Sequence, residues 1–177
     1  TEILKDWLQK GGRILAFRRA VDFLNKLGWI SNLKEVEADN LAENDHRSYS
    51  NYGASKAAQR IKGCIFNADI NLSHPLFFGY TRDQLPVFKR GTQFYKMDKA
   101  SAIAMKYTDE PLLSGYCSDE NIEKARNAAA VFCSAVGRGS VISSVDNPNF
   151  RGFWMGGSKL FANMIFMADA IERDTMD

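Results

Sequence analysis

The sequence predicts one α/β domain, a sandwich built on a largely parallel sheet with some antiparallel additions. Three observations carry that expectation. The chain opens helix–strand–helix, with Gly11-Gly12 between the first helix and a short apolar strand. From Gly63 onward, short apolar runs of strand character dominate. A broad apolar helical face over residues 159–171 closes the chain. Helices and strands in such an order pack as layers around a sheet. At 177 residues the chain is long enough for a single domain with a real core, spanning 1–177, and too short for two.

Each element has a local cause. Ile3, Leu4, Trp7 and Leu8 follow the spacing of an amphipathic helix, and Gly11-Gly12 ends it. Ile14 to Phe17 reads as a buried strand. Val21, Leu24 and Leu27 return to helical period, and Gly28 stops them. Residues 33–51 carry Glu35, Glu37, Asp39, Glu43 and Asp45 and read as an exposed polar insertion. Tyr52 to Ile61 is expected to be a short helix with Ala54, Ala57 and Ala58 on one side. Cys64 to Ile70 alternates as a strand should, and Ser73 to Tyr80 is an aromatic loop with a turn. Leu85 to Lys89, Ala100 to Tyr107 and Leu112 to Tyr116 are short strand candidates. Asp119 to Arg126 is a helix with Ser118 as its N-cap. Ala128–Val136 and Ser140–Val145, joined by Gly137-Arg138-Gly139, read as an antiparallel pair. Leu160, Met164 and Met167, with Phe161, Ile165 and Ala168, form the apolar face of the last helix. A doubly wound sheet normally begins with a strand, so a chain opening on a helix at Thr1 is expected to be truncated at its N-terminus. Any targeting signal would then lie upstream.

Composition narrows the partners. Hydrophobic residues make up 45% and charged residues 25%, ordinary for a soluble globular protein. A net charge of +2, with no run of five Lys or Arg, gives no field to attract nucleic acid or a membrane surface. The longest apolar stretch, Ala128 to Val136, is far short of a membrane span. Cys64, Cys117 and Cys133 have no CxxC spacing and read as buried free thiols, with a disulfide between two of them left open. His46 and His74 have no second ligand at metal-binding spacing, so no metal is expected in this chain. His74 reads instead as a loop histidine anchoring the turn before Pro75.

Two places carry the layout of catalysis without its residues. Gly11 to Ala20 runs from a glycine turn through a strand into an abrupt helix, the layout of a nucleophile elbow, yet the tip is Phe17-Arg18-Arg19 rather than Cys or Ser. Val141 to Phe150 runs from a strand into a loop where a base would need His, and Asn147 and Asn149 stand there. No G-x-S-x-G or G-x-C-x-G occurs elsewhere, and Cys117 in Ser114-Gly115-Tyr116-Cys117-Ser118 comes nearest. Arg18 and Arg19 should lie at the carboxyl edge of the sheet, where α/β proteins bind ligands, and Arg151 should end at the same edge. Two or three guanidinium groups there could grip a carboxylate in a fork. The alternative is that they pair with Asp146 or Asp22 and close the edge.

The first stretch resembles the strand and elbow of class I glutamine amidotransferase-like domains, with Arg18 at the nucleophile position. Val145-Asp146-Asn147-Pro148-Asn149 is similar to that family's strand followed by His-Pro-Glu, with Asn147 and Asn149 replacing the His and Glu. Ile61 to Phe66, the Ser73–Tyr80 loop, Pro86 to Gly91, and Gly139 to Asn163 together resemble the C-terminal module of secreted Bacteroidetes zinc carboxypeptidases. That resemblance implies a flavodoxin-like three-layer fold and an inactive amidotransferase-like module. It implies an upstream peptidase domain as partner, which holds the zinc, and a secreted or periplasmic location. The expected role is accessory: packing on the peptidase, or binding a peptide or glycan near Arg18, Arg19, Asn147, Asn149 and Arg151. The rival expectations are an active cysteine-dependent amidohydrolase using Cys117 with His74, and a purely structural domain with no ligand.

Overall fold

The computed structural model describes residues 1–36, 53 and 57–176. The elements, in chain order, are α1 (Glu2–Gln9), β1 (Arg13–Phe17), α2 (Arg19–Lys26), β2 (Leu33–Glu35), β3 (Cys64–Ile70) and β4 (Gln84–Lys89). There follow β5 (Tyr95–Met97), β6 (Ile103–Gly115), α3 (Asp119–Ala125), β7 (Ala129–Val136), β8 (Gly139–Ser144) and α4 (Met155–Phe166). Among the described residues the result is a mixed α/β fold around one eight-stranded sheet.

The strands lie in the order β1-β8-β7-β6-β3-β4, and a β2–β5 pair branches from β7. β7 and β8 are central, so both faces are covered and their sequences are nearly continuous apolar runs. β4 lies at an edge, which is where Pro86 is tolerated because a proline cannot donate to a ladder. β3 buries every second residue, Cys64, Phe66, Ala68 and Ile70, and its alternation follows from having one core face.

The expectation of a mostly parallel sheet is corrected here. Among the described residues β1–β8 is parallel and the other six pairings are antiparallel. The connections explain this. β7 turns into β8 through Gly137 and Arg138, and β3 returns to β4 without a helix long enough to make a crossover. A parallel neighbour needs a crossover of a dozen or more residues, usually helical. β1 is exempt because it reaches β8 from the far end of the chain.

Other differences are local. The two strand candidates over Ala100–Tyr107 and Leu112–Tyr116 are one strand, β6, with register shifts along its length. The closing helix starts earlier, at Met155, and ends at Phe166, with a 3₁₀ turn over Ala168–Ala170. Leu33 is buried within β2, inside the stretch expected to be exposed insertion. The rest of that insertion, from 37, and most of the helix expected over Tyr52–Ile61 lie outside the described residues.

One core fills each face of the sheet. α1 and α2 contribute Leu8, Val21 and Leu24 to one, with Trp29, Phe132 and Val141. α4 contributes Leu160 and Met164 to the other, with Phe66, Phe77, Met105 and Ile142. His74 anchors its turn as expected. It is buried, its Nδ1 accepts a hydrogen bond from Leu76 N–H at 3.2 Å, and burial lowers its pKa to about 4.

Candidate functional site

The register of β1 on β8 runs from Arg13 opposite Ser140 to Phe17 opposite Ser144. Both strands therefore end at the same edge of the sheet, side by side. Beyond the ladder, Arg18 N–H donates to the Ser144 carbonyl at 2.9 Å, and α2 begins at Arg19. Arg18 is pinned between strand and helix at φ 55°, ψ −123°. A non-glycine residue pays steric strain there, and it persists only where the surroundings over-determine it. The Arg18 side chain is half-buried. Its guanidinium reaches toward the turn after β4, within 4.0 Å of where a Cβ on Gly91 would stand. Arg19 is exposed on the first turn of α2.

The loop after β8 is held by its own side chains. Asn147 Oδ1 accepts from Asn149 N–H at 3.0 Å, and Asn149 Oδ1 accepts from Ser158 Oγ at 2.9 Å. Asn147 and Asn149 are exposed, and these bonds make them loop-shaping residues as well as surface groups. Arg151 adopts φ 55°, ψ 8°, and its guanidinium lies 5.2 Å from the centre of the Phe150 ring. Phe150 in turn stacks on Phe88 at 4.6 Å, with Phe153 edge-on to both. The structure thus brings Arg18 and the Asn147–Arg151 loop to one sheet edge. Among the described residues no hydrogen bond joins Arg18 or Arg19 to that loop. The carboxylates that were to close the edge are engaged elsewhere: Asp22 pairs with Lys26 at 3.1 Å, and Asp146 turns inward.

Gly157, in the first turn of α4, lets this loop sit tight on the helix. A Cβ there would overlap the Pro148 carbonyl. Gly157→Ala is therefore expected to push the Asn147–Arg151 loop away and destabilise the fold by about 1–3 kcal/mol. Thermal unfolding of the variant reads this directly, and an unchanged Tm would show that the loop yields freely.

Beneath the edge lies a network that the sequence reading missed. Lys89 Nζ is 3.5 Å from Asp146 Oδ1, with the two side chains only 1% and 4% exposed. Tyr107 donates its hydroxyl to Asp146 Oδ2 at 2.6 Å. Lys89 donates to the Gln93 carbonyl at 3.0 Å and to Tyr107 Oη at 3.2 Å, and it lies 4.5 Å from the centre of the Phe94 ring. Burial pulls the Lys89 pKa down, and the Asp146 carboxylate pushes back up. Burial also drives the Tyr107 pKa well up, with Asp146 adding to it. One signal was available: Lys89 falls in phase with Leu85 and Val87, the inward residues of β4.

Asp146 also borders an apolar cleft lined by Leu85, Val87, Met105, Pro148, Phe153 and Leu160. Its cavity volume is about 20 Å³, room for about one water. A larger molecule would meet the rim, formed by Asn147, Phe150 and Phe153, rather than the interior. Cys117, the nearest thing to an elbow cysteine, follows β6, and no hydrogen bond joins it to His74 among the described residues. His46 lies outside them. Among the described residues no three or more His, Cys, Asp or Glu side chains cluster as a metal site would require, and no helix is long and apolar enough to cross a membrane.

Comparison of the chain with protein families, with curated proteins and with solved structures finds no match in any of the three.

Proposed function

We propose that this chain is a non-catalytic binding module whose parallel β1–β8 unit and strand-to-helix elbow resemble those of amidotransferase-like domains. The observation that carries the reading is Arg18. It occupies the backbone setting of an elbow tip, a strained φ 55°, ψ −123° between strand and helix, with a guanidinium where chemistry would need a thiol or hydroxyl. A strained residue that performs no chemistry is retained most economically for what its side chain holds. With Arg151 and the exposed Phe153 at the same edge, the ligand class that fits is a peptide end. Its carboxylate would meet the guanidinium groups and its apolar side chain the aromatic rim. On the resemblance, the parent is a secreted or periplasmic zinc carboxypeptidase-like protein, the zinc belonging to an upstream peptidase domain that is this module's partner.

Calorimetric titration with short peptides bearing a free C-terminal carboxylate, beside the same peptides amidated, tests the reading. The free acids are expected to bind, and amidation or Arg18→Ala to weaken binding about tenfold or more, the loss of one charge-assisted hydrogen bond. Equal binding of acid and amide would overturn the carboxylate assignment. Hydrolysis of glutamine or a model amide, lost on Cys117→Ala, would overturn the non-catalytic reading in favour of the amidohydrolase. Arg18→Gly separates strain from recognition. Glycine accepts the backbone conformation, so the variant is expected to be more stable by about 1 kcal/mol in urea denaturation while losing the ligand.

A further inference from the structure

The second feature of interest lies at the other end of the Lys89 network, where two cysteines meet. Cys64 opens β3, opposite Lys89 of β4 on one side and Gly115 of β6 on the other. Residues directly opposite in an antiparallel pair share a face, so the Cys64 thiol stands beside the Lys89 side chain. At Gly115, φ 90°, the absent side chain lets β6 close onto Cys64, since a Cβ there would sit 3.0 Å from both its Cα and its Cβ. The chain then delivers Cys117 two residues later. Cys117 thus falls near Cys64 at this corner of the sheet, and the two thiols influence each other's ionisation.

The two sulfurs are unequal. Cys117, itself only 7% exposed, lines a surface pocket of about 330 Å³ with Gln59, Tyr116, Ser118 and Glu120, whereas Cys64 is 2% exposed and faces the core. The neighbouring Cys64 thiol pulls the Cys117 pKa down. Burial opposes that shift, the Lys89 ammonium adds to it, and Asp119 works weakly against it. The same proximity pushes the Cys64 pKa strongly up, with burial and Asp146 reinforcing it. Cys133, by contrast, is 1% exposed with its pKa raised to about 12 by burial alone. One thiol thus borders a surface pocket, a second lies deeper with its proton held more tightly, and the third is buried.

We propose that Cys64 and Cys117 are a reversible redox pair, in which Cys117 reacts with a peroxide and Cys64 closes the disulfide. The Cys117 thiolate attacks one peroxide oxygen, the O–O bond breaks, and the departing hydroxide is protonated to water, leaving a sulfenic acid. The Cys64 sulfur then attacks the Cys117 sulfur. The S–S bond forms, the S–O bond breaks, and the leaving hydroxide takes the Cys64 proton as a second water. Two thiols together lose two electrons and two protons, and the peroxide is reduced to two waters. A dithiol reductant reverses the closure by thiol–disulfide exchange. Closure ties the start of β3 to the β6–α3 junction. It also removes the thiolate charge from the neighbourhood of Lys89, leaving Asp146 as the counter-ion in the network under the sheet edge.

The experiment uses the whole chain, reduced and then treated with hydrogen peroxide near neutral pH. In the untreated protein, iodoacetamide is expected to label Cys117 at least about tenfold faster than Cys133. After peroxide, the intact mass should fall by two hydrogens, a Cys64–Cys117 cross-linked peptide should appear, and dithiothreitol should restore the original mass. Cys64→Ala should stop the reaction at a sulfenic acid on Cys117 that dimedone traps, and Cys133→Ala should behave as the parent chain. Labelling of Cys117 as slow as that of Cys133 in the untreated chain would overturn the proposal without any variant having to fold. So would peroxide treatment that yields no Cys64–Cys117 peptide.

Discussion

Lys89→Met alone is expected to cost about 3–5 kcal/mol of stability, and Asp146→Asn to act in the same direction. The physical reason is desolvation. Lys89 and Asp146 are withdrawn from water almost completely, and removing either one strands the other charge in a low-dielectric interior. For a chain of this length, such a loss lowers Tm by roughly 6–20 °C. The informative variant is the double one. In Lys89→Met with Asp146→Leu no charge is left buried, and stability is expected to recover most of the loss or exceed the parent, since well-packed apolar replacements of buried pairs are often neutral or better. Urea denaturation of the four proteins closes the cycle. Single variants that lose less than about 1 kcal/mol would show that the pair is solvated, in conflict with its burial. Tyr107→Phe, which removes the hydroxyl from Asp146, is expected to fall between at about 1.5–3 kcal/mol.

Acid is expected to weaken the fold through His74, by about 3 kcal/mol between neutral pH and pH 4. The folded pKa, about 4, lies below the ordinary value of 6.5, so the unfolded chain takes up the proton first as pH falls. The contribution is therefore fully present above pH 6.5, declines from 6.5 to about 4, and is flat below that. Protonation would also end the acceptor role of Nδ1 toward Leu76 N–H, which opens the turn into Pro75. His74→Asn keeps an acceptor at that place without a titrating ring. Denaturant midpoints at several pH values should show the slope over this window in the parent and its loss in the variant. A slope that survives the substitution would move its origin to another group.

What could be read from the residues divides along physical lines. β7 and β8 were legible because a central strand must be apolar throughout, and the glycine-flanked turn between them announces a hairpin. β3 was legible from a clean period of two. β2 and β5 were not, since three residues carry no period, and they exist because they pair with each other. Pairing direction was misjudged because element order alone does not reveal how far a connection must travel. At the sheet edge, the meeting of Arg18 with the loop after β8 followed from two strands expected to run side by side. The inward turn of Asp146 did not, because its partners, Lys89 and Tyr107, come from strands distant in sequence. Cys64 and Cys117 likewise carry no recognisable spacing, and only the pairing of β3 with β6 brings them together.

The one parallel contact among the described residues, β1 on β8, joins positions such as Arg13 and Ser140 that are 127 residues apart. During synthesis the segment bearing Arg18 emerges well before β8, and it has no ladder to join until the intervening residues have followed it out of the ribosome. The entropy of closing so long a loop must be met before that pairing returns anything. The β1 amides should accordingly gain protection late in a pulse-labelled refolding experiment, after those of the β7–β8 hairpin, so that the rim bearing Arg18 is completed last.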